Sequence, residues 1–333
     1  MSEWPTRRKL LAGSAGLATA SVGFLGAKSW WRVARQPEAR VWSHRLATYD
    51  EAALVDLLTR GIADYPDVIA KARGGTVLLK PNLVEVHPGR PINTDVRVLA
   101  AAVEAFKKHG AKDVIVGEGP GHHRDTELIL ERSGLTELLP QVGSTFVDLN
   151  LDRTVAVGLP SNFNGMRTLQ LAEHAVRADL LVSVAKLKTH HWTGSTLTLK
   201  NLFGTVPGAV YGWPKNPLHH AGIERSIVDL YEALRPDFGI IDGVVGMEGD
   251  GPIMGTAVPS EVLFLGSNLP ALDATASRFM GLEPDHIPTL ATLGRLGYTI
   301  HPSRVRVEGE QADPMRFAVL PHMERFRGGE APS

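Results

Sequence analysis

No cysteine occurs among the 333 residues. Disulfides, thiolate nucleophiles, cysteine-ligated zinc and iron–sulfur clusters are therefore excluded, and any metal has to bind His, Asp or Glu or arrive in a cofactor. A charge surplus is missing too: 35 Lys and Arg stand against 36 Asp and Glu, a formal net charge of −1. Without a basic excess the chain carries no electrostatic footprint for DNA or RNA, and it has no acidic tail. Internal repeats are absent, as are low-complexity runs beyond the N-terminal segment. What remains is a chain of 43% apolar residues, enough to bury a core as one large α/β domain or two smaller ones.

Arg7 and Arg8 precede the weakly apolar, Gly- and Ala-rich run Leu10–Ala27. Paired arginines before such a run read as a twin-arginine (Tat) export signal. The expectation is a periplasmic or extracytoplasmic protein delivered by the Tat machinery. The signal is either cleaved, at Ala18-Thr19-Ala20 or nearer Ala27, or kept as a membrane anchor. The alternative is a short helix with solvated arginines. Residues 1–35 are thus assigned to signal and linker and 36–324 to the α/β domain, with a variant of two lobes dividing near 175. Residues 325–333 are assigned to a disordered tail.

Short apolar strands are predicted at Thr76–Leu79, Val114–Val116, Leu180–Ala185, Phe238–Ile241 and Val262–Leu265. Amphipathic helices alternate with them at 95–109, 125–133, 223–234 and 271–280. Thr94 or Asp95 can cap the first of these, and Gly110 and Gly134 stand where left-handed residues close helices. Continuous apolar strands between such helices predict a mostly parallel sheet with helices on both faces, its site at the carboxyl ends of the strands.

The polar signals fall at those ends. Lys80-Pro81-Asn82 follows the first strand, GEGPGHHR (117–124) the second, Lys186–His190 the third, and Asp242 to Pro252 the fourth. Four loops converging on one edge predict a composite site. Lys186, Lys188 and His190 alternate along an extended segment and share a side, a pattern suited to a carboxylate or phosphate. Lys80, Asn82, Arg124, Lys186 and Lys200 are the candidate contacts to negative charge, and His123, His190 and Lys188 the candidate catalytic groups. Asp242, Glu248 and Asp250, on a glycine-rich loop, are the candidate ligands for a divalent metal or a general base. Each has a plainer reading: Lys80 and Lys200 as solvated lysines, GEGPGHHR as a turn before a capped helix, Asp250-Gly251-Pro252 as a turn. His219 and His220 follow a lid-length loop and fit either a metal or a helix entry on the surface. Asp273 reads as a partner of its own helix dipole.

KPNLVEV, GAKDVIVGEGPG, KLKTHHWTGSTLTLKNLFG, IIDGVVGMEGDGPIMG and ALDATASRFMGLEP resemble, in order, the motifs of the family known as domain of unknown function 362. The resemblance runs from about Asp50 to Gly309 and implies an α/β fold that is sometimes Tat-exported. Some members carry a ferredoxin-type iron–sulfur domain, from which this cysteine-free chain departs. Gly121–Asp125 is similar to the Gly-x-His-Arg segment of the lactate racemase family, whose members use a nickel pincer cofactor. That likeness implies His123 as acid/base, Arg124 as a carboxylate contact and a racemase or epimerase. The leading expectation is an exported enzyme acting on a small anionic molecule, with a divalent metal or metal-bearing cofactor as a further element. The other expectations are a non-catalytic periplasmic binding protein and an accessory protein for a redox partner.

Overall fold

Alternation along the strands decides how the sheet is covered. Val262 and Phe264 pack into one apolar cluster, while Leu263 and Leu265 pack into another; Ile241 and Ile240 divide in the same way. A strand with apolar side chains at both parities has to be covered on both faces. The computed structural model describes residues 36–121 and 125–328, together with Val33. The expected export signal lies outside these residues.

The strands are β1 (Ala39–Arg45), β2 (Thr76–Pro81), β3 (Asp113–Glu118), β4 (Thr145–Asp148), β5 (Thr154–Gly158), β6 (Thr168–Ala172), β7 (Leu180–His190), β8 (Gly194–Ser195), β9 (Phe238–Glu248), β10 (Thr256–Gly266) and β11 (Val305–Glu308). The main sheet has the order β11-β1-β10-β9-β7-β2-β3-β4, with β8 paired to β7. The five strands β9, β7, β2, β3 and β4 are parallel. β10 turns back antiparallel between β9 and β1, and β11 lies parallel to β1. The mostly parallel α/β sheet expected from the sequence is therefore the fold. β5 and β6 form a separate hairpin.

The helix Val96–Lys108 shows why these segments fold as they do. The Asp95 carboxylate accepts from the Arg97 backbone N–H, capping the start. Val98, Leu99, Ala102, Val103 and Phe106 recur at helical spacing and are buried. Gly110, at φ +91°, follows the helix end in a conformation that disfavours a side chain. On the opposite face, Ile223–Leu234 buries Ile227, Val228 and Leu230.

Three expectations are corrected. β7 does not stop at Ala185: it continues buried through His190. β9 runs on beside it to Glu248, so Asp242 and Glu248 lie on a strand and not on a glycine-rich loop. Polar residues persist in these strands because Lys186 stands opposite Asp242 in the parallel register, so charge meets charge inside the sheet. Finally, Arg325 to Gly328 are ordered. They close a 3-10 helix, Pro321–Arg327, whose Phe326 is 1% exposed and anchors it to the core; the remaining tail residues, 329–333, lie outside the described part.

Candidate functional site: a basic cleft at the carboxyl ends of the strands

Lys80, the next-to-last residue of β2, is wholly buried. Its Nζ donates to both carboxylate oxygens of Glu118, the last residue of β3, at 2.7 Å, and to the carbonyl of Pro81 at 2.9 Å. Glu118 also accepts from the backbone N–H groups of Leu83 at 3.1 Å and Gly119 at 2.8 Å. Burial pushes the Lys80 ammonium below its ordinary value, and the Glu118 charge opposes that shift. Gly204 packs directly on the pair: a Cβ there would stand 1.7 Å from Glu118 Oε1. Lys80 and Glu118 thus form a closed, mutually neutral floor.

Around that floor lies a cleft of about 560 Å³. β7 contributes Lys188 and His190, the short helix Leu197–Asn201 contributes Lys200, and the loop before the helix Asn216–His220 contributes Lys215, with His219 following on that helix. Lys188 is 0% exposed and bonds no carboxylate among the described residues; its Nζ donates to the carbonyls of Ile92 at 2.6 Å and Pro252 at 3.3 Å. Burial, then the charges of Lys200 and Lys186, hold it well below the lysine range. Lys215 donates to the carbonyls of Gly119 at 2.8 Å and Phe203 at 3.0 Å, and burial pushes it down to about 7. Partly buried Lys200 lies over the Phe203 ring at 4.8 Å and is pushed down to about 8 by burial and by Lys80. These lysines are desolvated without being neutralised, an arrangement that favours a bound anion.

Two histidines line the cleft. His190 Nδ1 accepts from the backbone N–H groups of Trp192 at 3.2 Å and Thr193 at 3.4 Å. Burial, followed by the charge of Lys200, holds the ring well below its ordinary value, so it is neutral with its proton on Nε2. His219 Nδ1 lies 3.2 Å from the Lys215 carbonyl, which can only accept, so Nδ1 donates there. Asn82 Oδ1 and Thr196 Oγ1, both on the cleft lining, are buried without a hydrogen-bond partner among the described residues.

The strand ends therefore bring together Lys80, Asn82, Lys188, His190 and Lys200 in and beneath one cleft. Lys186 belongs elsewhere. Its Nζ is bound to Asp242 at 2.8 Å and to the Tyr49 hydroxyl at 2.8 Å, a closed network away from the cleft lining. In the β7–β9 register Lys186 stands opposite Asp242, whereas Lys188, past an irregularity, stands opposite Met247, so only Lys186 has a carboxylate across from it. The metal assignment to Asp242, Glu248 and Asp250 is likewise corrected. Asp242 serves Lys186, Glu248 accepts from the Ala318 backbone N–H at 2.7 Å, and Asp250 lies 3.1 Å from His191 Nδ1. Among the described residues no three His, Asp or Glu side chains converge as a metal site. His123 and Arg124 lie outside the described residues, although Gly121 just before them lines the cleft.

Sequence reasoning missed Glu118 and Lys215. Glu118 sat in plain view within GEGPG, but its pairing with a buried lysine is a tertiary fact. Lys215 reaches the cleft through a left-handed backbone, φ +69°, rare for a residue with a side chain, and no local signal marks it. Asp273 does not serve its own helix. It accepts from the backbone N–H groups of Thr198 at 3.0 Å and Leu199 at 2.9 Å, holding the start of the helix that carries Lys200. A second recess, about 340 Å³, lies at the opposite ends of the strands, where Lys71 is already paired with Asp237 at 2.5 Å.

The family model described as domain of unknown function (DUF362) matches residues 77–278. Among curated proteins, a thylakoid-associated protein of Synechocystis is 30% identical over 252 residues, which is 74% of this chain and 75% of that protein. Among solved structures, the lactate racemase apoprotein of Thermoanaerobacterium thermosaccharolyticum aligns with a TM-score of 0.45 at 16% identity, over 74% of this chain and 57% of that one. A Thermotoga maritima protein aligns with a TM-score of 0.37 at 13% identity, over 78% of this chain and 60% of that one. The chain spans less than two thirds of either structure, and likenesses of this degree carry no reading of the site.

Proposed function

The chain belongs to the DUF362 family, and from that premise we propose that its cleft binds an organic anion and transforms it by acid–base chemistry. One observation carries the reading. Lys188, Lys200 and Lys215 line the cleft with no ion pair among the described residues, while on the same lining Glu118 is already neutralised by Lys80 and Asp250 lies against His191. An anion entering this site supplies the missing counter-charge and raises the lysine pKa values as it binds. His190 supports an enzyme over a simple receptor: with Nδ1 accepting from the backbone, it offers an Nε2–H to polarise a carbonyl or hold a developing oxyanion.

The test is proton exchange. Incubating the protein in D2O with a panel of 2-hydroxy and 2-oxo acids, followed by NMR, should show protein-dependent loss of a Cα–H or α-proton signal for at least one acid. His190→Ala should abolish the exchange while isothermal titration still detects the acid. Binding throughout the panel without exchange would reduce the protein to a binding module; no binding would remove the anion reading itself.

We also propose export of the folded chain by the Tat machinery, on the strength of Arg7-Arg8 ahead of Leu10–Ala27. Cell fractionation checks this: a double substitution of both arginines by lysine should leave the protein in the cytoplasm. Equal distribution of the two forms would reject it.

A further inference from the structure

The cleft sorts its lining by depth. Lys188, Lys215 and His190 are deeply buried, 0%, 3% and 4% exposed, alongside Leu83 and Glu118 at 2% each. The exposed lining carries large apolar side chains beside the His191–Asp250 pair. Trp192 and Met254, from the loops after β7 and β9, are 56% and 57% exposed, and Ile253 and Pro214 line the cleft beside them. Isolated exposed apolar side chains are ordinary, but two large ones flanking a basic pocket are not scattered. Both are held in place. Trp192 packs edge-on against His191 with ring centroids 4.8 Å apart, and Met254 Sδ accepts from Arg90 Nη1 at 3.0 Å.

Size adds a second constraint. A space of about 560 Å³ is room for roughly nineteen waters at about 30 Å³ each. A three-carbon acid fills a small part of it, leaving the rim untouched; cavities in this range bury a ligand of cofactor or drug size.

We propose that the ligand is an amphiphilic organic anion, in which a carboxylate or phosphate seats against Lys188, Lys200 and Lys215 and a planar apolar body lies against Trp192 and Met254 at the rim. This rests on the anion reading above and adds to it the chemistry of the other end of the molecule.

Isothermal titration of the full chain with inorganic phosphate, 1-naphthyl phosphate, acetate, 2-naphthoate and uncharged 2-naphthol separates the two claims. The aryl anions are expected to bind at least tenfold more tightly than phosphate and acetate. The double variant Trp192→Ser/Met254→Ser should bring them down to the affinity of the bare ions. Equal affinities for aryl and bare anions in the wild-type chain would overturn the inference and leave the anion reading standing. No binding of any anion, or 2-naphthol binding as tightly as 1-naphthyl phosphate, would overturn both.

Discussion

Anion affinity should fall steeply as the pH rises, and the structure sets how steeply. Lys215 titrates at about 7 and Lys200 at about 8 in the empty cleft, each held down first by burial. A bound anion favours the charged form of both, so binding takes up protons wherever the empty site has lost them. At pH 6 both are protonated and affinity is at its plateau. At pH 9 the cost of protonation is roughly a hundredfold for Lys215 and tenfold for Lys200, together about a thousandfold if the anion demands both charges. Lys200 keeps some contact with solvent, so its share is the smaller and the total is an upper bound. His190 stays neutral throughout and adds nothing. Sulfate is the suitable probe because its own charge is constant over this range. Titration calorimetry in two buffers of different ionisation enthalpy gives both the affinity and the proton count. The logarithm of the association constant should be level below pH 6, fall with a slope near −1 between 7 and 8, and steepen above. Lys215→Arg, charged at every accessible pH, should remove the first segment of the fall. A level profile from pH 6 to 9, with no proton uptake at pH 8, would refute the reasoning from buried unpaired lysines.

Three further outcomes concern the scaffold of the cleft. Glu118→Gln leaves the Lys80 ammonium buried beside a neutral group and should cost about 3–5 kcal/mol in urea unfolding; Lys80→Met/Glu118→Gln should recover much of that loss, and a double variant as unstable as the single would contradict the pairing argument. Gly204→Ala drives a methyl into the same pair and should cost about 3 kcal/mol or more, whereas Gly121→Ala, with no heavy atom of the described residues within 4 Å of its Cβ, should unfold at the wild-type midpoint. Asp273→Ala removes the acceptor for Thr198 and Leu199 and should cost about 2–4 kcal/mol near pH 5. Burial raises Asp273 to about 7, above its unfolded value. Its stabilising contribution is therefore complete below the unfolded value and is lost as the pH rises through 7, so the penalty of the alanine variant should shrink from pH 5 to pH 8. A penalty that grows over this interval would show the carboxylate to be better satisfied than its burial implies.

Much of the scaffold was legible in local pattern. Apolar runs at both parities mark strands covered on two faces, and Asp95, Asp125, Gly110 and Gly134 all occupy the capping or terminating positions their chemistry prescribes. Strand ends were not legible. Lys186, Lys188, His190, Asp242 and Glu248 look like loop residues because polarity at a strand end ordinarily meets water. In this protein it meets a partner strand, a backbone carbonyl or an opposite charge. The same limit hid Glu118, whose role depends on a lysine 38 positions away in sequence.

By itself the sequence determined that the chain makes an α/β sheet, that cysteine chemistry is impossible, and that basic and imidazole groups gather where strands end. Those properties follow from composition and from the short periods of strand and helix, which neighbouring residues fix among themselves. Only the tertiary structure decided which lysines are neutralised and which are left waiting for an anion. Burial and charge pairing are relations between segments far apart in the chain. Lys80 and Lys186 each found a carboxylate on an adjacent strand, and Lys188 and Lys215 found only carbonyls.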